Sequence, residues 1–489
     1  MASNYINIKI NFKDGNIHFT KDENPGPPSP FDTDEDDDKV NNVRVELGIA
    51  KVFHKVLNLI KADADLFQRE DFELLGEMLS KLLFGKTKGN EDCRNYIMRE
   101  VEQTLKINNP SGKKICRIFL EFDQRSEVAM LPWEYTLYKP RTSQGGSFYI
   151  SANNTSRFHL MRRVKEKSYD GFPADKLLVI VLLNVEGNAN ATPPIDQRYN
   201  EARKVREMFG NLEKQHNNLI VEYLENIPFV ELSGKIKEIC ARYGQPLVYA
   251  VHYVGHAILR EQTGRLAVRE DTTKDINWMN DKKFAASFSR EILGLERQPA
   301  LACFQACDSA KIGSSNGQLH GVAYEFALLN IPAVVGMQNE VNTPTSCAFF
   351  EVFYTSILAA KDVGEAITNG RDYLGKNLKQ NGPYTDNSFG SPVLFITTPE
   401  PIRLLKPPAS VPVERKGSPK TRSGYLTPPD ASENIVENSS IKAKTPALEE
   451  RTAIANINET SSEIPVTAIV SEGATDMITN RPSSSFNQS

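Results

Sequence analysis

The sequence predicts an α/β protein built on a mainly parallel sheet with helices on both faces. Three observations carry this. Residues 177–183, 219–224, 246–253, 300–306, 333–337 and 392–396 are apolar runs of strand length. Residues 197–212, 229–243, 283–295, 321–329, 345–358 and 363–378 have apolar side chains at three- and four-residue spacing, the period of an amphipathic helix. A strand that is apolar on both faces needs cover on both, and the interleaved helices supply it as crossovers. This rhythm spans about residues 172–399.

Residues 1–165 read as a smaller α+β region. The start, MASNYINIKINF, alternates like a strand. Residues 43–62 and 72–83 have helical periodicity, 114–122 alternate as a strand, and 148–163 read as an extended hairpin. Between the first strand and the first helix, residues 21–41 hold four prolines and the acidic run Asp34 to Asp38. Such a segment resists collapse and is expected to be a disordered loop. Residues 406–489 are rich in Ser, Thr, Pro, Glu and Asn and poor in aromatics, so a disordered tail is expected there. Ser418-Pro419-Lys420 and Thr427-Pro428-Pro429 within it have the form of phosphorylation sites.

Composition narrows the function. The chain has 489 residues, 40% apolar and 25% charged, with a net charge of −4. That charge gives no reason to expect nucleic acid as partner. No apolar run approaches the roughly 20 residues needed to cross a bilayer, so no membrane partner is expected. The N-terminus lacks the layout of a secretory signal. Six cysteines, Cys93, Cys116, Cys240, Cys303, Cys307 and Cys347, show no CxxC spacing. A zinc site or thioredoxin-type motif is therefore not expected, no metal is called for, and the sparse cysteines fit a reducing, cytoplasmic setting. No GxxxxGK[ST] occurs, which argues against a P-loop. No cofactor is called for.

In an open α/β sheet, chemistry gathers past the carboxyl ends of the strands. Two ends carry reactive side chains. One runs Val251-His252-Tyr253-Val254-Gly255-His256-Ala257, the other Phe304-Gln305-Ala306-Cys307-Asp308-Ser309. Consecutive strands tend to be neighbours, so His256 and Cys307 would face each other. An imidazole within hydrogen-bond reach generates the thiolate and can then protonate a leaving amine. Main-chain N–H groups at the turn can hold an oxyanion. His252 and Cys303 lie inside their strands and read as core residues.

These residues resemble known peptidase families. Gln305-Ala306-Cys307 is similar to the start of the caspase motif, whose histidine lies about 50 residues upstream. Here the separation is 307 − 256 = 51. Asp308 and Ser309 depart from the caspase pattern and fit the A-C-x-S/T form of CHAT domains, a branch of the same caspase/separase-like clan. Gly255-His256 matches the CHAT histidine motif, with Ala257 where a glycine is usual. Leu131-Pro132-Trp133-Glu134 resembles the L-P-W-E element, followed by Arg162. Ile331 to Gln338, Gly370-Arg371 and Ser391-Pro392-Val393-Leu394 are similar to the family's later segments.

The resemblance implies a caspase-like three-layer sandwich over residues 172–399 and hydrolysis of peptide bonds in a protein substrate through an acyl-thioester. It assigns Cys307 as nucleophile, His256 as general base and acid, and the N–H groups of Cys307 and Ala257 as oxyanion hole. Gln305 would line the substrate pocket. Asp308 either favours a basic substrate residue or caps the following loop, and capping is the simpler reading. The family suggests regulated proteolysis in cell death or defence, with an activating partner or ligand acting through the N-terminal region. The alternative is a catalytically silent CHAT module serving as an interaction protein.

Overall fold

Leu177, Val179, Val181 and Leu183 pack in one hydrophobic cluster, whereas the alternate residues Leu178, Ile180 and Leu182 pack in another. Period-two alternation on a strand buried on both faces makes such a split, and it defines the architecture as a sheet between two layers. The computed structural model describes residues 5–13, 16–21, 69–84, 115–122, 127–139, 147–153, 158–164, 171, 173–184, 195–243, 248–269, 276–289, 293–315, 318–377, 383–384 and 387–407. The helix expected at 43–62, most of the acidic loop at 21–41, Cys93 and all but the first two residues of the tail at 406–489 lie outside them.

The central sheet has ten strands. In chain order they are β1 (Tyr5–Lys13), β2 (Asn16–Lys21), β3 (Ile115–Phe122), β6 (Phe158–Arg163), β7 (Leu177–Leu183), β8 (Leu219–Glu225), β9 (Val248–Val254), β13 (Leu301–Gln305), β16 (Ala333–Met337) and β17 (Pro392–Ile396). Their spatial order is β2-β1-β3-β6-β17-β16-β13-β9-β7-β8. Every neighbouring pair is parallel except β1–β2 and β16–β17. The antiparallel β16–β17 seam divides the sheet into two sets of strands of opposite direction, with the edge strand β2 reversed in its own set.

The first cluster is covered by α1 (Arg69–Phe84), α2 (Ile195–Gln215), α6 (Thr343–Leu358) and α7 (Val363–Asn377), which contribute Phe72, Phe209, Phe350 and Ile367. The second is covered by α3 (Phe229–Tyr243), α4 (Asp281–Ala286) and α5 (Val322–Leu328), through Ile236, Phe284 and Phe326. A three-stranded antiparallel sheet of β10 (Ala257–Arg260), β11 (Thr263–Arg269) and β12 (Ile276–Asn280) packs on the second side. A small hairpin, β14 (Gly313–Ser315) and β15 (Gln318–His320), follows the cysteine strand.

The structure differs from the sequence reading in two ways. Residues 148–163 are not a hairpin: β5 (Phe148–Tyr149) pairs with β4 (Leu137–Tyr138), while β6 enters the main sheet beside β3 and β17. The expected boundary between 165 and 172 does not separate two cores. Ile10, Leu120, Val179 and Leu394 belong to one cluster, so the N-terminal strands extend the same sheet.

A buried polar knot makes that junction. Arg162 on β6 donates Nε to Glu134 Oε1 at 3.0 Å and Nη2 to Oε2 at 2.6 Å. Its remaining N–H groups reach the carbonyls of Ala129 and Leu131. Gln338, just past β16, donates to Glu134 Oε2 at 2.9 Å and to the Gly390 carbonyl at 2.6 Å. Both charges are almost wholly buried. A bidentate pair with its other polar atoms satisfied offsets much of the desolvation cost, but removing one partner leaves a bare buried charge. Arg162→Met is therefore expected to lower unfolding stability by about 3–5 kcal/mol. Adding Glu134→Gln should recover part of the loss in a urea-denaturation double-mutant cycle, whereas strict additivity would contradict the coupling.

Candidate active site

β9 and β13 are adjacent and parallel, with Cys303 opposite His252, Phe304 opposite Tyr253 and Gln305 opposite Val254. The Gly255 N–H donates to the Gln305 carbonyl at 3.4 Å. His256 and Cys307 each lie two residues past the last paired position of their strands. Strands lie about 4.8 Å apart, and alternation places Val254 and Cys303 in the first cluster, the side to which positions 256 and 307 belong. Both residues are half-buried. The chain passes from β7 outward to β8 and then back across β7 to β9. That reversal is the topological switch point at which open α/β sheets form their crevice.

The histidine arm is held from three directions. A Cβ on Gly255 would stand 2.8 Å from the Asn184 carbonyl oxygen, so the close approach of β7 requires glycine. The Asn184 N–H donates to the Val254 carbonyl at 2.9 Å. The Tyr253 hydroxyl lies 2.6 Å from the Ala267 carbonyl oxygen and 3.1 Å from that of His256, donating to both as a shared bond. His256 then leads into the β10–β11 hairpin. The Ala267 N–H bonds to the His256 carbonyl, so the next pair, Ala257 with Leu266, is a non-hydrogen-bonded one. The Ala257 N–H therefore points away from β11. Its methyl group is 3% exposed and packed in the second cluster. The substitution of alanine for the family's glycine consequently fills core rather than crevice.

The cysteine arm is fixed by Ser309. This buried hydroxyl donates to the Ala306 carbonyl at 2.7 Å and accepts the Met337 N–H at 2.9 Å. Its main-chain oxygen accepts the Ala323 N–H from α5. A Cβ on Gly336 would come within 3.0 Å of the same hydroxyl, so β16 is glycine where the loop packs on it. Asp308 lies at φ 54°, in the left-handed region. Aspartate tolerates that region better than most residues, at a cost of roughly 1 kcal/mol. Its carboxylate ion-pairs with Lys311 at 3.5 Å, and the hydroxyl that holds the loop is that of Ser309.

Gln305 is 6% exposed. Its Oε1 lies 3.0 Å from His252 Nε2, and its Nε2 donates to Ser346 Oγ at 2.9 Å and towards Cys347 Sγ at 3.4 Å. The amide thus braces β13 against α6, and these bonds serve the core. His252 is fully buried, with Nδ1 3.1 Å from the Tyr354 hydroxyl and Phe350 edge-on to its ring. Burial lowers its pKa to about 4, partly opposed by the Gln305 bond. Cys303 is likewise buried, and burial pushes its thiol up to about 12. Neither serves as nucleophile or base.

Sequence reasoning named Ser309 only as part of a motif and did not single out Tyr253 or Asn184. Their roles come from main-chain bonds across strands, which leave no periodic signal.

The CHAT domain family model matches residues 94–387. Among solved structures, Saccharomyces cerevisiae separase in its complex with securin is 13% identical, covering 57% of this chain and 15% of separase, with a TM-score of 0.32. The chain therefore spans only a small part of separase's length. Caspase-1 from Spodoptera frugiperda is 12% identical over 48% of this chain and 92% of that one, with a TM-score of 0.33. The Drosophila initiator caspase Dronc is 13% identical over 48% and 86%, with a TM-score of 0.28. No curated protein matches the sequence.

Two outcomes test the arms. Ser309→Ala leaves the buried Met337 N–H without its acceptor and is expected to cost about 1–3 kcal/mol in chemical denaturation. The second concerns pH. An unfolded histidine takes up a proton near 6.5, whereas folded His252 refuses it until about 4. Stability contributed by neutral His252 is thus present above 6.5 and lost as pH falls from 6.5 towards 4, on the order of 3 kcal/mol. Urea midpoints of His252→Gln should fall less steeply across that window than those of the wild type.

Proposed function

Because the chain belongs to the CHAT-domain family, we propose that it is a cysteine endopeptidase that hydrolyses a protein substrate at the Cys307–His256 pair. The observation that supports this reading is the parallel pairing of β9 with β13, after which the two chains leave the sheet towards His256 and Cys307. His256 takes the Cys307 proton, and the thiolate attacks the scissile carbonyl. The N–H groups of Cys307 and Ala257 receive the oxyanion. The imidazolium gives its proton to the leaving amine as the C–N bond breaks, leaving a thioester. Water, deprotonated by the same imidazole, then attacks the acyl carbon. The carboxyl product leaves and the thiol is restored.

Gln305 supports the pocket wall from beneath, through His252 and α6. Asp308 stands at its rim, already matched to Lys311, so a basic substrate residue would exchange with that lysine. The setting that fits the family is regulated proteolysis in a cell-death or defence pathway in the cytoplasm, with the N-terminal region receiving the activating partner or ligand. Among the described residues no helix is long and apolar enough to cross a membrane.

The test uses the purified full chain with basic, acidic and apolar fluorogenic peptides and an irreversible thiol-directed peptide inhibitor. Cleavage of one class and labelling of Cys307 are expected. Cys307→Ala should abolish both, whereas Cys303→Ala should retain activity and lose about 1 kcal/mol of stability. Absence of cleavage and labelling under every activating condition would establish the silent module instead.

A further inference from the structure

Asp281, His320 and Glu325 lie far apart in sequence but converge behind the two catalytic arms. One ligand atom from each, two carboxylate oxygens and an imidazole nitrogen, all stand within 4.8 Å of one another. His320 Nδ1 and Glu325 Oε1 are 3.6 Å apart. Both atoms are buried, and neither has a hydrogen-bond partner among the described residues. Glu325 is 7% exposed and Asp281 fully buried. The half-exposed Lys282 ammonium stops 3.9 Å from the same Glu325 oxygen. Two buried carboxylates and an imidazole nitrogen gathered within 4.8 Å of one another carry a cost that a cation would remove.

We propose that Asp281, His320 and Glu325 bind a divalent transition-metal cation of the zinc class, with water completing the coordination. The donor set selects the ion, because an imidazole nitrogen suits zinc-class metals and disfavours calcium and magnesium, which take oxygen ligands. The spacing agrees. Tetrahedral zinc with ligands at about 2.1 Å sets them about 3.4 Å apart, close to the 3.6 Å seen between His320 and Glu325. The outer shell is in place too. Asp281 is oriented by the N–H groups of Gly264, on its Oδ2 at 3.1 Å, and Lys282, on its Oδ1 at 2.8 Å. A Cβ on Gly264 would stand 2.9 Å from Asp281 Oδ2 and 2.8 Å from the Val322 nitrogen, so glycine keeps the pocket open. The lack of CxxC spacing excludes a thiolate site but leaves this nitrogen–oxygen site untouched.

The location gives the cation a task. Gly264 and Asp281 belong to the hairpin and helix that follow His256. His320 and Glu325 follow the cysteine loop, and α5 holds that loop through the Ala323–Ser309 bond. A bound ion would join the two arms from behind, whether or not the thiol cleaves peptides.

The experiment is zinc titration of the full chain carrying Cys307→Ala, which removes the thiol as a competing ligand, after stripping with chelator. Calorimetry and metal analysis should show about one zinc bound and a higher melting temperature. Glu325→Gln in that background should fold, by circular dichroism, and bind zinc at least tenfold more weakly, as should His320→Ala. Failure of the stripped parent to bind zinc would overturn the proposal. So would affinity unchanged in both variants, or one calcium bound in preference to zinc.

Discussion

The parallel pairing of β9 and β13 is the constraint on which the rest of the molecule depends. Parallel strands have a fixed register, and a slip of one residue turns every side chain to the other face. With Gln305 opposite Val254, continued alternation would put His256 and Cys307 on one side of the sheet. A shift by one would send one of them into the core beneath α3 and α5. The glycines at 255 and 336 and the Ser309 hydroxyl keep the two chain exits in place after regular pairing ends. Each acts on main chain, so these contacts hold the backbone directly.

The Glu134–Arg162–Gln338 knot extends that constraint across the seam. β16 and β17 run antiparallel, and each half of the sheet would otherwise present an edge strand there. Gln338 leaves β16 directly after Met337, whose N–H is held by Ser309. The knot that ties down the N-terminal strands is thus one residue from the bond that ties down the cysteine loop.

Much of this was legible in sequence because burial on both faces forces continuous apolar runs. β7, β16 and β17 have the bounds their apolar stretches indicate, and α3 does too. Strand direction was not legible, since an apolar run reads the same either way, and so the β16–β17 reversal came only from the structure. The small sheet β10–β12 was missed because its strands mix exposed polar with buried apolar residues, and its Glu261-Gln262 turn, both at positive φ, lacks the Asn-Gly usual for such turns. The strand-end position of Cys307 and His256 was legible, each lying just past its strand. The group formed by Asp281, His320 and Glu325 was not, because its members meet only through tertiary packing and have no ligand spacing along the chain.

The central claim is that His256 acts on Cys307, and the rate of Cys307 alkylation tests it directly. Iodoacetamide labelling followed by peptide mass spectrometry at pH 6 reads the thiolate population at that residue alone. The structure predicts that Cys307 in the wild type reacts at least tenfold faster than in His256→Ala, while His252→Gln leaves the rate within about twofold. Equal rates in wild type and His256→Ala would mean that the imidazole does not act on the thiol, and would contradict the account.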